Sequence, residues 1–229
     1  MITRIIQRLY RSEPLARLFH TLGYCLRREL EGCESALDIG CGPGSPLQLC
    51  ENLRYTVGVE PFKPYADRAK ASHTHTEVLN VPMQELDFPP NSFDAVVMIG
   101  VIEHMKEEDG MRALQLAERW AKKKVIITSP NGFLPQHPVD GNPLQEHLSG
   151  WPVSTMRKLG FRTNGLAGLK QLRQEVDSDT MGESILASIR PQPRAFWFVV
   201  ATLSQLVTYY VPELAFDLFS VKPVSEKTA

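Results

Sequence analysis

Ala36-Leu37-Asp38-Ile39-Gly40-Cys41-Gly42-Pro43-Gly44 passes from a short apolar run through an acid into glycines at alternate positions. The apolar run predicts a buried strand. The glycines predict a tight turn, because a Cβ would block both the turn and the close approach of backbone to a ligand. From Ser45 onward, Leu47 and Leu53 are apolar positions of a predicted helix, whose first N–H groups would be free. Strand, glycine-rich turn and helix indicate the start of a nucleotide-binding α/β unit.

The spacing of the glycines argues against a dinucleotide. Dinucleotide-binding loops follow G-x-G-x-x-G, whereas this loop is G-x-G-x-G and has an acid two residues before its first glycine. An acid there suits a positively charged ligand. The nonapeptide resembles motif I of the class I S-adenosylmethionine (SAM)-dependent methyltransferases. That resemblance implies SAM as cofactor, with Gly40, Cys41, Gly42 and Gly44 beside it and Asp38 at its methionine end.

The second predicted strand, 55–60, also ends in an acid. In nucleotide-binding α/β folds, an acid at this strand end accepts hydrogen bonds from ribose hydroxyls. Glu60 is therefore the predicted ribose ligand, and Pro61 lies beside it at the start of the next predicted helix.

The loop before the fourth predicted strand departs from the family pattern. Relatives commonly have an Asp-Ala pair where this chain has Pro82-Met83, so the adenine contact by an acidic side chain is missing. Backbone N–H groups of Met83 or Gln84 could bind the adenine edge instead, and a plain loop without a ligand is the alternative. The strand that follows places Ile99 among the predicted cofactor residues.

The segment 101–105, Val-Ile-Glu-His-Met, resembles the family's segment after this strand, which implies that it faces the methionine end of SAM. Glu103-His104 also resembles part of the E-x-x-E-H motif with which small-RNA 3′-end methyltransferases hold a metal. The first acid of that motif falls on Gly100 here, so the sequence predicts no metal site and methyl transfer that survives chelation. His104 is either a helix-start residue with a local hydrogen bond or a general base. A hydroxyl acceptor needs a base, and His104 and His147 are the candidates.

Residues 133–151 form a long polar loop after a predicted strand. Long loops are usually lids or binding loops, and open α/β sheets bind ligands at the carboxyl ends of their strands. Polar and aromatic side chains of this loop are predicted to line an acceptor pocket: Gln136, His137, Asp140, Asn142, Gln145, His147 and Trp151. The alternative is that these groups satisfy one another in a rigid loop.

Two further segments are basic or apolar. Residues 1–30 predict two helices and hold six arginines against two glutamates. They would either cap the cofactor or lie on an anionic membrane. The run 195–211 carries no charged residue and is at the lower edge of transmembrane length. It is a helix buried in the fold or in a dimer interface, a helix at a membrane surface, or a span.

The alternation of strands and helices predicts an α/β fold. The resemblance covers about residues 33–165 and, more weakly, the last strand. It implies a Rossmann-like sheet of seven strands, mostly parallel, with an antiparallel last strand and helices on both faces. We expect cap helices over 1–30 and a methyltransferase domain over 31–229. Within that domain, 133–151 is the acceptor-side loop and 170–211 is an insertion with the apolar helix.

Composition restricts the class of protein. The chain has 229 residues, is 43% hydrophobic and carries a net charge of −1, which suits one domain with a large core and offers no basic groove for nucleic acid. Its four cysteines include no C-x-x-C pair, so they predict buried thiols in a reducing compartment. We see no signal peptide and expect a cytoplasmic protein, with peripheral membrane contact and a homodimer left open.

The predicted function is SAM-dependent methyl transfer, by in-line displacement, to a small-molecule or lipid-like acceptor. A scaffold that binds SAM or a nucleotide without turnover is one alternative. Others are a nicotinamide dehydrogenase, which the glycine spacing disfavours, and a methyltransferase acting on RNA or protein. The intact loop and Glu60 argue against the scaffold, whereas the missing acid at Pro82 argues slightly for it.

Overall fold

The computed structural model describes residues 12–174 and 186–224. Seven strands form one sheet in the order β3-β2-β1-β4-β5-β7-β6. They are β1 (Ser35–Ile39), β2 (Tyr55–Val59), β3 (Glu77–Leu79), β4 (Phe93–Ile99), β5 (Ala121–Pro130), β6 (Arg162–Leu169) and β7 (Ala215–Pro223). The helices in the described residues are α1 (Glu13–Leu18), α2 (Leu22–Glu29), α3 (Lys63–Ser72), α4 (Glu107–Trp120), α5 (Val153–Lys158) and α6 (Arg194–Thr208).

The sheet has the predicted topology. β1 to β5 pair in parallel, whereas β7 runs antiparallel to both of its neighbours, β5 and β6. β1 and β4 are buried almost throughout, as expected for parallel strands covered on both faces. The predicted α/β class and the antiparallel last strand are therefore confirmed. All four cysteines are buried thiols, also as predicted.

The predicted helix after the glycine-rich loop is wrong. Only a short 3-10 helix, Pro46–Leu49, forms there. Helix α2 already covers this part of the sheet, because its Leu26 packs in one apolar cluster with Leu47 and with Ala95 of β4. A second full helix after the loop would have no uncovered apolar part of the sheet to pack against.

Lysines 122–124 lie in β5, which begins at Ala121 directly after helix α4 ends at Trp120. The Nζ of Lys123 lies 3.2 Å from Asp94 Oδ1, and the Nζ of Lys124 lies 3.9 Å from Glu29 Oε2. Extended backbone points alternate side chains to opposite faces, and these acids lie within reach of two of the lysines. Ion pairs of this kind compete with the modest gain that a helix C-terminus offers a cation.

Helix α6 lies directly on strand β6. A Cβ on Gly165 would come within 2.2 Å of the Thr208 carbonyl oxygen, and one on Gly168 within 2.1 Å of the Ala201 oxygen. Two glycines of the strand thus permit backbone-to-backbone contact with the helix. The side-chain amide of Gln205 hydrogen-bonds to both glycines. Its Oε1 accepts from Gly168 N, and its Nε2 donates to Gly165 O.

The outer face of α6 and the turn after it are apolar and exposed. The exposed side chains follow a helical stripe and continue past its end: Phe196, Val199, Leu203, Leu206, Val207, Tyr210, Val211 and Leu214. We call this set the α6 stripe. In residues 12–174 and 186–224, no helix is both long and apolar enough to cross a membrane. Of the predicted run 195–211, residues 195–208 are helical, and Phe198, Ala201, Gln205 and Thr208 are buried against the fold.

Some of the predicted segments lie outside the described residues. Residues 1–11, with Arg4, Arg8 and Arg11, are among them, as are 175–185 and 225–229. The predicted insertion 170–211 is therefore described at 170–174 and from residue 186 onward. Its second part includes Ile189, which is fully buried against Phe198 and Ala201.

Candidate active site

The glycine-rich loop lies at the carboxyl ends of β1 and β2. Gly40 and Gly42 have φ values of +68° and +60°, a region that residues with a Cβ rarely adopt. A Cβ on Gly40 would lie 2.5 Å from Val101 Cγ2, whereas one on Gly42 would meet nothing within 4 Å. The loop is held against β2, because the amides of Gly40 and Cys41 both donate to Val59 O. Glycine is thus needed at position 40 because the Val101 side chain leaves no room for a Cβ. At position 42 the glycine lies beside open space.

Glu60 joins the loop to the end of β2. One carboxylate oxygen accepts a hydrogen bond from Gly42 N at 3.0 Å, and the other accepts one from Phe62 N at 2.9 Å. The side chain is buried, and this desolvation raises the pKa of Glu60 above its usual value. Each oxygen keeps a lone pair for a further donor. Glu60 therefore both fixes the loop and offers acceptor sites beside it.

Asp38 has a partner inside the protein. Its Oδ2 lies 3.0 Å from His75 Nε2, and both side chains are excluded from solvent. The ring of His75 packs against β2, since a Cβ on Gly58 would lie 3.0 Å from its Cγ. The contact between Asp38 and the methionine end of SAM remains a prediction. The structure shows a buried pair two residues before the loop, and no spacing in the sequence indicates it.

We expect Asp38→Ala to destabilise the fold more than it weakens SAM binding. The variant would leave His75 Nε2 buried without a partner, a loss of about 1–3 kcal/mol, or roughly 2–12 °C in melting temperature for a domain of this size. Thermal unfolding and SAM calorimetry on the same samples measure both effects. A variant that melts like the wild type but binds SAM at least tenfold more weakly would instead support a direct contact between Asp38 and the cofactor.

The smaller of two adjoining cavities, about 320 Å³, is built from this loop. It brings together six of the predicted cofactor residues: Gly40, Gly42, Glu60, Pro61, Met83 and Gln84. Asp38, Cys41, Gly44 and Ile99, which were also predicted, are not among the residues that line it. Side chains that the sequence did not indicate for this cavity include Lys106, Asp109, Asn142 and Leu144.

The larger cavity, about 720 Å³, lies across the carboxyl ends of β4, β5 and β6 and is lined mostly by apolar atoms. Three predicted acceptor-loop residues line it, namely Gln136, Gln145 and His147. Residues of α6 and of the segment between α1 and α2 line its other sides. Both cavities are lined by Gly100, His104 and Gln145, so they meet at these three residues.

The other predicted acceptor residues lie elsewhere. Asn142 lines the smaller cavity, and His137 is exposed. Asp140 is also exposed and accepts a hydrogen bond from the Tyr65 hydroxyl. Trp151 is fully buried, and its indole N–H donates to Ile102 O and to the Ser149 hydroxyl. Trp151 therefore has a packing role, which the sequence could not separate from a lining role.

The comparisons with known proteins agree with this geometry. Residues 37–128 match the family model described as a methyltransferase domain. The matched residues run from β1 to β5 and include the glycine-rich loop and Glu60. A search of curated protein sequences gave no match.

Solved structures resemble this chain over nearly its whole length. The YcgJ protein from Bacillus subtilis has a TM-score of 0.53 at 12% identity, covering 90% of this chain and 98% of that one. A chain of the complex between the Haloferax volcanii Trm112 methyltransferase activator and a putative methyltransferase has a TM-score of 0.53 at 14% identity, covering 97% and 96%. A SAM-dependent methyltransferase from Archaeoglobus fulgidus has 0.50 at 18%, covering 93% and 99%. At these identities the likeness establishes the fold.

The acceptor-side loop is folded onto the turn after β4. The amides of Leu148 and Ser149 both donate to Glu103 O, and Gln136 Nε2 donates to Gln145 O at 2.7 Å. The loop is therefore internally bonded and also lines a cavity, and its role in holding an acceptor stays a prediction. Its attachment brings His147 beside His104, with ring centroids 4.8 Å apart.

In both histidines, Nδ1 lies within hydrogen-bond distance of a backbone carbonyl oxygen. The Nδ1 of His104 lies 3.2 Å from Glu146 O, and the Nδ1 of His147 lies 2.6 Å from Leu134 O. Burial lowers the pKa of His104 to about 4 and also lowers the pKa of His147. Both rings are therefore neutral near pH 7, and a carbonyl partner requires the proton on Nδ1. Each Nε2 is left as a base or a ligand.

Proposed function

We propose that this methyltransferase transfers the methyl group of SAM to a small-molecule or lipid-like acceptor held in the larger cavity. The observation that carries the proposal is the meeting of the two cavities at Gly100, His104 and Gln145. Methyl transfer by in-line displacement requires donor and acceptor to be held within reach and aligned. A cofactor cavity that opens onto a larger one provides that arrangement.

The residues of the smaller cavity fit SAM. Open space above Gly42 admits a ligand close to the backbone, and Glu60 offers carboxylate oxygens to the ribose hydroxyls. Met83 and Gln84 line the same cavity beyond Pro61 and Pro82, where their backbone can meet the adenine. When bound, SAM supplies a methyl group on a sulfonium, whose leaving group is a neutral thioether.

The residues at the junction can handle a proton. A hydroxyl acceptor must lose its proton as its oxygen becomes the nucleophile, and a positioned base within hydrogen-bond reach accelerates this step. His104 and His147 are neutral and present Nε2, because Nδ1 of each is bonded to a carbonyl. An acceptor that is methylated on a nitrogen or carbon atom would have the same two histidine rings as its bases.

The test begins with cofactor binding. We expect calorimetry to show saturable binding of SAM and of its demethylated product, and no binding of NAD. Incubation with labelled SAM and candidate metabolite or lipid extracts is then expected to give a methylated product that mass spectrometry identifies. SAM binding without transfer to any acceptor would favour the scaffold. Transfer only to RNA or protein would replace the proposed acceptor class.

Asn142 provides a test of how the loop contributes to cofactor binding. Its Oδ1 accepts from Leu144 N at 3.0 Å. Its Nδ2 is buried and has no hydrogen-bond partner among the described residues, although the side chain lines the smaller cavity. We expect Asn142→Ser, which keeps an acceptor for Leu144 N, to weaken SAM binding about 3- to 10-fold, the value of one neutral hydrogen bond. An unchanged affinity in calorimetry would remove Asn142 from the site.

The α6 stripe supports a lipid-like acceptor. Ala201 and Gln205, on the inner face of α6, line the larger cavity, while Phe196, Val199 and Leu203 are exposed on its outer face. Contiguous apolar surface of this kind marks a partner, ligand or membrane contact. An acceptor that leaves a membrane beside α6 would have a short apolar route to the junction.

Vesicle flotation tests this version of the proposal. We expect the protein to float with anionic vesicles and to do so less at high salt, because surface charge attraction is screened within about 8 Å at physiological ionic strength. Replacing Val199 and Leu203 by serine should reduce flotation, as should changing Arg4, Arg8 and Arg11 to Gln. A protein that ignores vesicles at low salt would exclude membrane contact and leave a small soluble acceptor.

A further inference from the structure

Three side chains with metal-binding atoms meet where the two cavities join. One ligand atom from each of Glu103, His104 and His147 lies within 4.8 Å of the others. All three residues line the larger cavity, and His104 also lines the smaller one. Glu103 and His147 are buried, while His104 is partly exposed. The cluster therefore faces an interior space that a ligand can enter.

The hydrogen bonds of the two histidines prepare them as ligands. A carbonyl oxygen can only accept, so the proton of each ring is on Nδ1, toward Glu146 O and Leu134 O. Metal-binding histidines almost always donate their second N–H to a carbonyl or carboxylate in this way, which fixes the tautomer and the ring orientation. The two rings are held in that form by backbone, independently of any ion.

The backbone also fixes Glu103 beside the two rings. Its carbonyl oxygen accepts from the amides of Leu148 and Ser149 in the acceptor-side loop, the loop that carries His147. These hydrogen bonds bring Glu103, His104 and His147 into one cluster.

We propose that Glu103, His104 and His147 bind one transition-metal dication, of which Zn²⁺ is the best match. Two imidazoles and one carboxylate form a ligand set that zinc sites use, with a fourth position left open. Imidazole ligands suit Zn²⁺ and its neighbours, whereas Mg²⁺ prefers oxygen. Tetrahedral metal–ligand bonds of about 2.0–2.2 Å place ligand atoms about 3.3–3.6 Å apart. The ligand atoms here lie within 4.8 Å of one another, so closing the site requires the widest pair to approach by up to about 1.5 Å.

This inference reverses the expectation of no metal, and the reason is topological. Within the five consecutive positions 100–104, only Glu103 and His104 can bind a metal, and Gly100 stands where the E-x-x-E-H motif has its first acid. The third ligand comes instead from His147, which the acceptor-side loop brings back onto the Ile102–His104 turn. Gly100 remains next to the site, since a Cβ there would lie 3.6 Å from Glu103 Oε1.

The role of the ion rests on the proposed function. An open coordination position at the junction would take an oxygen of the acceptor, and a dication lowers the pKa of a bound hydroxyl. With Nε2 of both histidines bound to the ion, neither ring acts as the base, and the acceptor loses its O–H proton to solvent. Its oxygen forms the bond to the methyl carbon, while the carbon–sulfur bond breaks and its electron pair stays on sulfur, giving the neutral thioether. This assigns an acceptor with a hydroxyl.

Direct binding of Co²⁺ and Zn²⁺ tests the site without any acceptor. Chelator-treated protein is dialysed against each ion, and bound metal is quantified. The visible spectrum of Co²⁺ then reports its coordination. We expect one equivalent of either ion, and for His147→Ala an affinity lower by more than the ~10- to 100-fold that losing an outer-shell partner costs. His137→Ala, an exposed histidine of the same loop, is the matched control and should bind like the wild type.

The outcomes are separable from those of the proposed function. Wild-type protein that binds SAM but retains no Co²⁺ or Zn²⁺ overturns the metal site and leaves methyl transfer in place. Metal that binds equally in wild type and in folded His104→Ala and His147→Ala also overturns it. If both variants fail to fold, the wild-type stoichiometry decides, together with a rise in melting temperature on adding Zn²⁺. Protein that binds the ion but no SAM would contradict the proposed function alone.

Discussion

Replacing Glu60 by alanine is expected to lower affinity for SAM and for its demethylated product by a common factor on the order of 100. A hydrogen bond to a charged group contributes about 1.5–3 kcal/mol, and the ribose offers two hydroxyls that are the same in both ligands. Glu60 also accepts from Gly42 N and Phe62 N, so the variant loosens the loop that surrounds the ligand. Calorimetry with both ligands measures the effect.

Two further variants separate binding from structure. Glu60→Gln keeps the size of the side chain but has a single acceptor oxygen, so it should lie between wild type and Glu60→Ala in affinity. Glu77→Gln, an exposed acid on the neighbouring strand β3, should change neither ligand's affinity. Loss of affinity for only one of the two ligands would show that Glu60 does something other than hold the ribose.

Local patterns predicted the parts of this molecule that depend on neighbouring residues. Strand β1, the glycine turn and Glu60 at the end of β2 follow from apolar runs and from the requirement for backbone without a Cβ. The position of Met83 and Gln84 beside the ligand was also predicted, because a contact made by the backbone needs no particular side chain. These features have a periodicity or a spacing that one stretch of sequence displays.

Contacts between distant segments explain the rest. Asp38 fits a charged ligand by type, yet its partner in the structure is His75, which no spacing connects to it. Helix α2 occupies the place of the helix expected after the glycine loop. Which of two segments packs on the sheet depends on contacts between distant parts of the chain. His147 belongs with His104 only because the amides of Leu148 and Ser149 bind the Glu103 carbonyl.

Replacing Gly40 by alanine is expected to have the largest effect of any single change in the loop. Its φ of +68° disfavours a residue with a Cβ by about 1–2 kcal/mol, and the new Cβ would lie 2.5 Å from Val101 Cγ2. Overpacking of this kind adds about 1–3 kcal/mol. We expect the melting temperature to fall by roughly 4–20 °C. SAM affinity should fall at least ~100-fold, the scale on which small displacements in a site act.

The double variant Gly40→Ala with Val101→Ala separates the two causes. Removing both Cγ atoms leaves Val101 Cβ as the nearest of the atoms around the new methyl group, at 3.4 Å, which is an ordinary contact. The steric part should then be recovered as a favourable coupling of about 1–3 kcal/mol, while the backbone strain remains. Gly42→Ala, with the same sign of φ and open space, should show that strain alone in melting. A double variant no more stable than Gly40→Ala would assign the whole effect to the backbone.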